Sequence, residues 1–428
     1  MARIGLILKE DLYRVIDEAF EYLRSQQITD AGKSGWHQFL ESGKIGNVAT
    51  AQIMILYKYF NKHISALESC LAFLEANRKS IFWQGEKISG WSYVSSGPPV
   101  PCIEPTCWVF WAYQHLILPQ IQEIESDVYD FLKATRIESR EGCSWGFTPW
   151  TEARISPTCT ALRVLSKIGD RQLVEATIRW LLAARDSQNA WGASSNNIAT
   201  PTHTSLAIRA LKDAGYSPKN PVLVDAYSFL IEQFKKWITT KQAQAYFSHL
   251  SGISEIIEVP AFSTLSINPT RIQYYYNPIL LLADALSTDL DVYLPIVETI
   301  AFKAINDWDS TRWKHPWLKE HKHLTSWSFY DHMLIIKPFY QLWSGDKRAG
   351  ILYYISSEGM KSLRLGHASR IFKIIKKLKV PFFLRVTLTI SILVALAYLV
   401  LDTMDLKAII ITIVLSVISN VFYDFLKK

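Results

Sequence analysis

Pairs of an aromatic residue followed by leucine recur along the first half of the chain at nearly constant intervals. The pairs begin at Tyr22, Phe73, Phe131, Trp180 and Phe229, so successive pairs are separated by 51, 58, 49 and 49 residues. Repetition with a period of about 50 residues is typical of proteins whose units bury their apolar faces against one another. We therefore predict helical-hairpin units in which an outer helix ends near each of these pairs.

After four of these pairs the chain carries a turn with a tryptophan, and then a stretch that begins polar and becomes apolar. The tryptophans that share this position are Trp36, Trp91, Trp145 and Trp191. Three of the following stretches contain Pro-Thr, preceded by Glu104, Ser156 or Thr200. Proline is tolerated in the first turn of a helix, and Ser, Thr or Glu side chains can accept hydrogen bonds from its free amides. Each Pro-Thr therefore predicts the start of an inner helix.

The most apolar part of the chain lies at its C-terminal end. Residues 386–401 contain no charged residue, and a second apolar run covers residues 408–422 after a short polar break. Helices of roughly 20 residues would each span a hydrocarbon core about 30 Å thick, so we predict a transmembrane hairpin over residues 380–428. A pair of buried core helices is the alternative, which the basic residues just before the first run disfavour.

Positive charge is concentrated beside this hairpin. The 428-residue chain has a net charge of +7, but residues 347–385 hold ten basic residues and one acidic residue, a net +9, which leaves −2 for the rest. A nearly neutral body is not expected of a nucleic-acid-binding protein. The membrane is the expected partner, and the positive-inside rule predicts a multi-pass cell-membrane protein with two spans, its N-terminal domain and C-terminus cytoplasmic. Five dispersed cysteines and a short apolar N-terminal run agree with a reducing compartment and no signal peptide.

The turns and helix starts resemble the prenyltransferase and squalene-oxidase repeat of terpenoid cyclases and protein prenyltransferase beta subunits. The closest stretches are residues 180–192 followed by 201–211, and residues 142–147 followed by 157–162. Four units are clear between residues 20 and 212. The resemblance implies an all-α fold, an α/α toroid of about six helical hairpins around a central cavity.

Two weaker matches extend the repeat, since the stretches from Tyr274 and from Ser326 are similar to a fifth and a sixth inner helix. The predicted domains are the toroid over residues 1–345, a basic linker over residues 346–379 and the transmembrane hairpin over residues 380–428. An open helical solenoid is the competing architecture, because one sequence does not show that a ring closes.

The catalytic motifs of this superfamily can be compared residue by residue. The cyclases protonate their substrate with an Asp-x-Asp-Asp motif, of which this chain keeps only Asp307 and Asp309. Asp331, in the sixth inner helix, is a further candidate acid. The prenyltransferases hold zinc with a motif that includes Asp-x-Cys, which is also absent. We leave enzymatic activity open, with these three aspartates as the candidate catalytic residues, and expect no metal and no cofactor.

If the toroid closes, the starts of the inner helices converge at one end of the cavity. The residues expected to line this mouth and bind a ligand are Glu104, Cys107, Thr158, His203, Tyr274, Tyr275, Trp327 and Tyr330. Aromatic side chains with few charges suit an apolar ligand with one polar end, and in the cyclases aromatic faces stabilise carbocations. The alternative for each aromatic residue is that it fills an interface between repeats.

The sequence thus predicts a membrane-anchored toroid that binds an apolar ligand, isoprenoid or lipid-like, and the missing motifs argue against catalysis. The alternative is a non-catalytic sensor-effector or scaffold, in which the toroid recognises a ligand or a protein and the hairpin is the output. Small residues of the hairpin, such as Ser391, Ala395, Ser416 and Ser419, would let its helices pack and the protein form a homo-oligomer.

Overall fold

Helices of 10 to 19 residues, joined in several places by short β-hairpins, make up the part of the chain that the structure describes. This computed structural model describes residues 3–4, 7–40, 42–93, 100–195, 197–239, 253–260, 267–274, 277–309, 313 and 325–344. All of them belong to the unit Met1–Tyr354. The predicted transmembrane hairpin and its basic linker lie outside the described residues. Among the helices that are described, none combines the length and the apolar character needed to cross a membrane.

Outer and inner helices alternate along the chain. The outer helices are α1 (Lys9–Ser25), α3 (Leu67–Ala76), α5 (Ile121–Thr135), α7 (Arg171–Ala183), α9 (Pro221–Thr239) and α11 (Leu290–Asn306). The inner helices are α2 (Asn47–Tyr59), α4 (Ile103–Leu116), α6 (Ile155–Ile168), α8 (Pro201–Asp213), α10 (Pro278–Ser287) and α12 (Ser326–Ser344). The predicted hairpin units are therefore present, including the two weaker ones.

The connections contain antiparallel two-stranded sheets, which the sequence analysis described only as turns. The paired strands are β1 (Arg3–Ile4) with β2 (Ile7–Leu8), β3 (Ile28–Asp30) with β4 (Lys33–Gly35), β5 (His37–Phe39) with β6 (Ser42–Ile45), β7 (Lys79–Trp83) with β8 (Glu86–Gly90), β9 (Ile137–Ser139) with β10 (Gly142–Ser144), and β11 (Ile253–Pro260) with β12 (Ile267–Tyr274). Most of these hairpins lead from an outer helix to the next inner helix, so they set the point at which the inner helix begins.

The inner helices form a closed ring. Each packs against the next in the order α2, α4, α6, α8, α10 and α12, and α12 packs against α2. The hydroxyl of Tyr340 in α12 donates a hydrogen bond to the carbonyl of Phe60 at the end of α2 (3.0 Å). The indole N–H of Trp308, just after α11, reaches the carboxylate of Glu18 in α1 (2.8 Å). The last repeat thus contacts the first, which confirms the toroid and excludes the open solenoid.

The repeated tryptophans join the two helices of each unit. Each indole N–H donates to the carbonyl of the leucine in the preceding aromatic-leucine pair: Trp36 to Leu23 (2.7 Å), Trp91 to Leu74 (2.6 Å), Trp145 to Leu132 (2.9 Å) and Trp191 to Leu181 (2.7 Å). All four indoles are fully buried. A buried indole whose single donor is satisfied adds a large apolar area to the core without a desolvation penalty.

A threonine in the first turn of the inner helix completes this contact in the same four units. Its hydroxyl accepts a hydrogen bond from the backbone N–H of the same tryptophan, at Thr50 (3.3 Å), Thr106 (3.0 Å), Thr158 (3.0 Å) and Thr204 (3.1 Å). A methyl group on Gly35 or Gly90 would come within 2.6 Å or 2.5 Å of the threonine hydroxyl of its own unit. The glycine therefore leaves the space in which the threonine hydroxyl can bind the backbone of the tryptophan.

The predicted role of the residues before Pro-Thr is correct at only one of three helices. Thr200 caps α8, since its side chain accepts a hydrogen bond from the N–H of His203. The caps of α4 and α6 are Cys102 and Arg154, neither of which makes a side-chain capping bond. Glu104 and Ser156 instead lie inside the first turn, because both helices begin one residue earlier than the predicted caps.

Candidate functional site

The aromatic side chains of α4 and α12 meet inside the ring. The ring of Trp108 lies edge-on to those of Trp327 and Tyr330, with centroids 5.6 Å and 5.0 Å away, and edge-on to Trp111 at 5.0 Å. Both α4 and α12 neighbour α2 but not each other in the ring, so this contact crosses the lumen in front of α2. Edge-to-face pairs of this kind each contribute about 1 kcal/mol beyond the area they bury.

Charged residues from α6, α8 and α10 lie in the same lumen. Arg163 is 2.6 Å from the carboxylate of Asp213, and Arg209 is 3.3 Å from that of Asp284. The guanidinium of Arg163 also lies 4.3 Å from the ring centroid of Trp111, which joins the charged residues to the aromatic ones. About a quarter of the side chain of Arg163 and of Arg209 is exposed (25% each), so water reaches the lumen at this depth.

The ion pair between Arg163 and Asp213 shifts the pKa values of both residues. Burial alone would lower the pKa of the guanidinium and raise the pKa of the carboxyl group. Their mutual attraction outweighs burial, so the pKa of Arg163 is raised and that of Asp213 is lowered. Both groups are therefore charged at neutral pH.

Lys337 of α12 occupies a different environment. Its Nζ lies 3.4 Å from the ring centroid of Tyr59, whose hydroxyl shares a hydrogen bond with Nε2 of His115 (3.1 Å). Burial, followed by the charge of Arg209, lowers the pKa of Lys337 to about 8. Burial, followed by the charge of Lys337, lowers the pKa of His115 to about 4, so this imidazole is neutral. Within the part of the chain that the structure describes, no carboxylate lies within ion-pair distance of Lys337.

Asp331 is a buried acid. Its Oδ2 has no hydrogen-bond partner among the described residues, while the backbone N–H of Asn277 donates to the carboxyl group. Burial, and then the negative charge of Asp284, raises the pKa of Asp331 well above its ordinary value. Both effects favour the protonated form of this carboxyl group, as a candidate acid requires.

These groups form one set, which we call the lumen cluster, and every inner helix contributes to it. Its members are Tyr59 of α2, Trp108, Trp111 and His115 of α4, Arg163 of α6, Arg209 and Asp213 of α8, Asp284 of α10, and Trp327, Tyr330, Asp331 and Lys337 of α12. Their electrostatic effects cross the ring. Burial and then Tyr59 raise the pKa of Tyr330, and the positive charge of Arg163 opposes this increase.

Two of the predicted ligand-binding residues form hydrogen bonds within the ring of helices. Glu104 is fully buried and accepts hydrogen bonds from Tyr93 (2.9 Å) and from Ser156. His203 has its Nδ1 2.8 Å from the Thr200 hydroxyl, and burial lowers its pKa to about 4. These side chains hold neighbouring inner helices and their caps.

Other predicted residues lie apart from the lumen cluster. Cys107 is fully buried, and Thr158 holds Trp145 as described above. Asp307 ends α11 and pairs with Lys303 at 2.8 Å on a partly exposed surface. Asp309 follows it in a connecting segment. The side chain of Tyr274 and all of residue Tyr275 lie outside what the structure describes, and no group of three metal-ligating side chains occurs among the described residues.

Trp327, Tyr330 and Asp331 are members of the lumen cluster that the sequence predicts, whereas its arginines and Lys337 are not predicted. Arg163 and Asp213 are 50 residues apart, close to one repeat period. Aligning the inner helices would have placed Arg163 and Arg209 at the same position, nine residues into α6 and α8. A basic residue that recurs at the same position of two inner helices is therefore the available signal.

The fold is similar to that of known enzymes. The match to a GH76 α-mannanase from Bacteroides thetaiotaomicron has a TM-score of 0.54 at 14% identity and covers 76% of this chain and 94% of that one. The type II terpene cyclase MstE from Scytonema gives a TM-score of 0.47 at 12% identity, covering 77% of this chain and 98% of that one. No family model and no curated protein sequence matches the chain. At 14% identity the likeness to the mannanase concerns the fold alone, and it agrees with the closed ring.

Proposed function

We propose that the toroid binds an apolar ligand with one polar end, isoprenoid or lipid-like, in its lumen. The observation that carries this proposal is the lumen cluster, in which edge-on aromatic rings adjoin partly exposed charged groups. Aromatic walls suit an apolar body, and a few convergent polar groups suit a single polar end. A ring plugged only by apolar side chains would not need charged residues at its centre, since burying charges is costly.

Mass spectrometry of small molecules that co-purify with the full chain tests this proposal. We expect an apolar compound with one polar group, and we expect its recovery to fall at least about tenfold in Trp108→Leu, which keeps an apolar side chain but removes the ring faces. Trp83→Leu is the matched control, because Trp83 also forms an edge-on pair, with Trp150 at 5.3 Å, but lies on β7 outside the ring. Equal recovery from both variants would contradict binding in the lumen.

We also propose that residues 380–428 anchor this domain in a membrane, with residues 1–379 cytoplasmic. The apolar runs and the flanking positive charge support this. Extraction of cell membranes at alkaline pH tests it: the full chain should stay with the lipid, and a chain ending at residue 379 should be released. Release of both chains would overturn the proposal.

The second candidate function is a sensor-effector, and the environment of Asp307 favours it. Asp307, which belongs to the stretch most similar to the cyclase motif, forms a partly exposed ion pair with Lys303 and is not a buried acid. The remaining candidate acid is Asp331, and Asp331→Asn distinguishes the two functions. An enzyme that protonates its ligand through this group loses turnover in the variant, whereas a sensor keeps its biological effect.

A further inference from the structure

Lys337 is the one amine in the lumen cluster, and it lies against an aromatic side chain. Its amine rests on the ring of Tyr59, and no carboxylate of the described residues pairs with it. The ammonium ion is stabilised by cation–π attraction and by the more distant charges of Asp284 and Asp213, but not by a direct ion pair. The amine is therefore available to a ligand that enters the lumen.

The spacing along α12 places this amine at one end of an apolar path. Tyr330 and Lys337 are seven residues apart, which puts them on the same helix face, about 10 Å apart along the axis. Leu334 lies on that face between them and is only partly buried. At the far end Tyr330 meets Trp108 edge-on at 5.0 Å. A ligand about 10 Å long would thus lie against Tyr330 and Leu334 with its end at Nζ.

We propose that Lys337 forms a reversible imine with the carbonyl group of this ligand, which makes the ligand an apolar aldehyde or ketone. This inference rests on the proposed function, because it names the polar end of the ligand that the lumen binds. The neutral amine attacks the carbonyl carbon through its nitrogen lone pair, and a proton moves from nitrogen to oxygen to give a carbinolamine. Loss of water then forms the C=N bond, so no oxidant or reductant is required.

The neighbours of Lys337 suit this reaction. Tyr59 presents a hydroxyl on the same ring that the amine contacts, and His115 shares a hydrogen bond with it, so the pair can pass the proton that leaves with water. Burial, and then the positive charges of Arg209 and Arg163, favour the neutral amine over the ammonium ion and outweigh the opposing attraction of Asp284 and Asp213. The depression of the pKa of Lys337 to about 8 agrees with this arrangement and leaves about a tenth of the amine neutral at pH 7.

Reductive trapping on the full chain in detergent tests the inference. The probe is citral, an isoprenoid aldehyde, and sodium cyanoborohydride converts any imine to a stable amine that peptide mass spectrometry can locate. We expect one citral adduct at Lys337, formed at least about tenfold faster than at Lys58, which lies on α2 but is exposed. Lys337→Arg keeps the charge and should abolish this adduct, whereas Lys58→Arg should leave it unchanged.

Geraniol, the alcohol with the same skeleton, separates this inference from the proposed function. Its binding is followed by quenching of tryptophan fluorescence, and it cannot form an imine. If geraniol binds and citral labels surface lysines no more slowly than Lys337, the imine is overturned and lumen binding stands. If geraniol does not bind and citral is not trapped at Lys337, both proposals fail. Because the adduct is located on the unchanged chain, the result does not depend on how well Lys337→Arg folds.

Discussion

At the scale of single residues, the reactivity of Lys337 follows from the groups that face it. These groups are Tyr59 from α2, His115 from α4, Arg163 from α6, Arg209 and Asp213 from α8, and Asp284 from α10. Burial and the two guanidinium groups disfavour the ammonium ion, while Asp284 and Asp213 favour it. The balance is a lowered pKa, because desolvation is the largest effect.

We predict that competitive labelling with acetic anhydride will show this balance directly. The labelling rate of Lys337 should rise about tenfold between pH 7 and pH 9 and reach half of its plateau near pH 8, since only the neutral amine reacts. An ordinary lysine amine continues to gain reactivity through about pH 10. The exposed Lys58, in the same digest, is the reference, and identical profiles for the two lysines would contradict the buried environment.

At the scale of elements, the stability of each unit depends on the contact between its tryptophan turn and the start of its inner helix. Thr158 and Thr160 are both buried threonines of α6, but their hydroxyl groups make different hydrogen bonds. Thr158 accepts the otherwise unpaired N–H of Trp145, whereas Thr160 donates to the carbonyl of Ser156 within its own helix. Only the first hydroxyl satisfies a group that has no other partner in the turn.

We predict that Thr158→Val lowers the free energy of unfolding by about 1–3 kcal/mol, because it leaves the N–H of Trp145 buried without an acceptor. Thr160→Val should cost less than about 1 kcal/mol, since the carbonyl that loses its hydroxyl donor is still part of the helix. Urea denaturation of the two variants measures the difference. Equal losses would show that the threonine is not part of the repeat contact.

A second prediction concerns the β9–β10 turn. Gly142 has φ +138°, and a Cβ there would lie 2.1 Å from the carbonyl oxygen of Ala176 in α7. Gly142→Ala should therefore cost about 3 kcal/mol or more. Gly169→Ala, at φ +93° with nothing within 4 Å of the added atom, should cost about 1–2 kcal/mol from backbone strain alone. Thermal unfolding compares them, and a smaller loss at position 142 would mean that β9–β10 does not pack on α7 as described.

The sequence predicts the repeat units well because their signals are local. Trp145 and Thr158 are 13 residues apart, and the same spacing occurs at Trp191 and Thr204, so pattern alone reveals the unit. The caps predicted at Glu104 and Ser156 lie two residues after the observed caps, because Ile103 and Ile155, the first residues of these helices, carry no capping signal. The partners of Arg163 and Arg209 lie on neighbouring inner helices, and nothing local identifies which charged residue faces the lumen.

At the scale of the whole molecule, charges on successive inner helices act on one another. Asp284 of α10 pairs with Arg209 of α8, and its negative charge also reaches Asp331 and Lys337 of α12. It raises the pKa of Asp331 by repulsion and raises the pKa of Lys337 by attraction. Ring closure adds the contact between Lys337 of α12 and Tyr59 of α2, which an open solenoid would lack.

We therefore predict that Asp284→Asn lowers the pKa of Asp331 and the pKa of Lys337 together. Infrared spectroscopy follows the carbonyl band of the protonated Asp331 carboxyl group, with Asp331→Asn to assign it, and acetic anhydride labelling follows Lys337. The Asp331 band should disappear at lower pH than in the unchanged chain, and the half-plateau of Lys337 labelling should fall below pH 8. Asp307→Asn removes a carboxylate whose ion pair with Lys303 lies on a partly exposed surface, and should move neither group. If the pKa of only one of the two groups changed, Asp284 would not couple Asp331 to Lys337. The polar end of a ligand would then meet two groups that titrate independently.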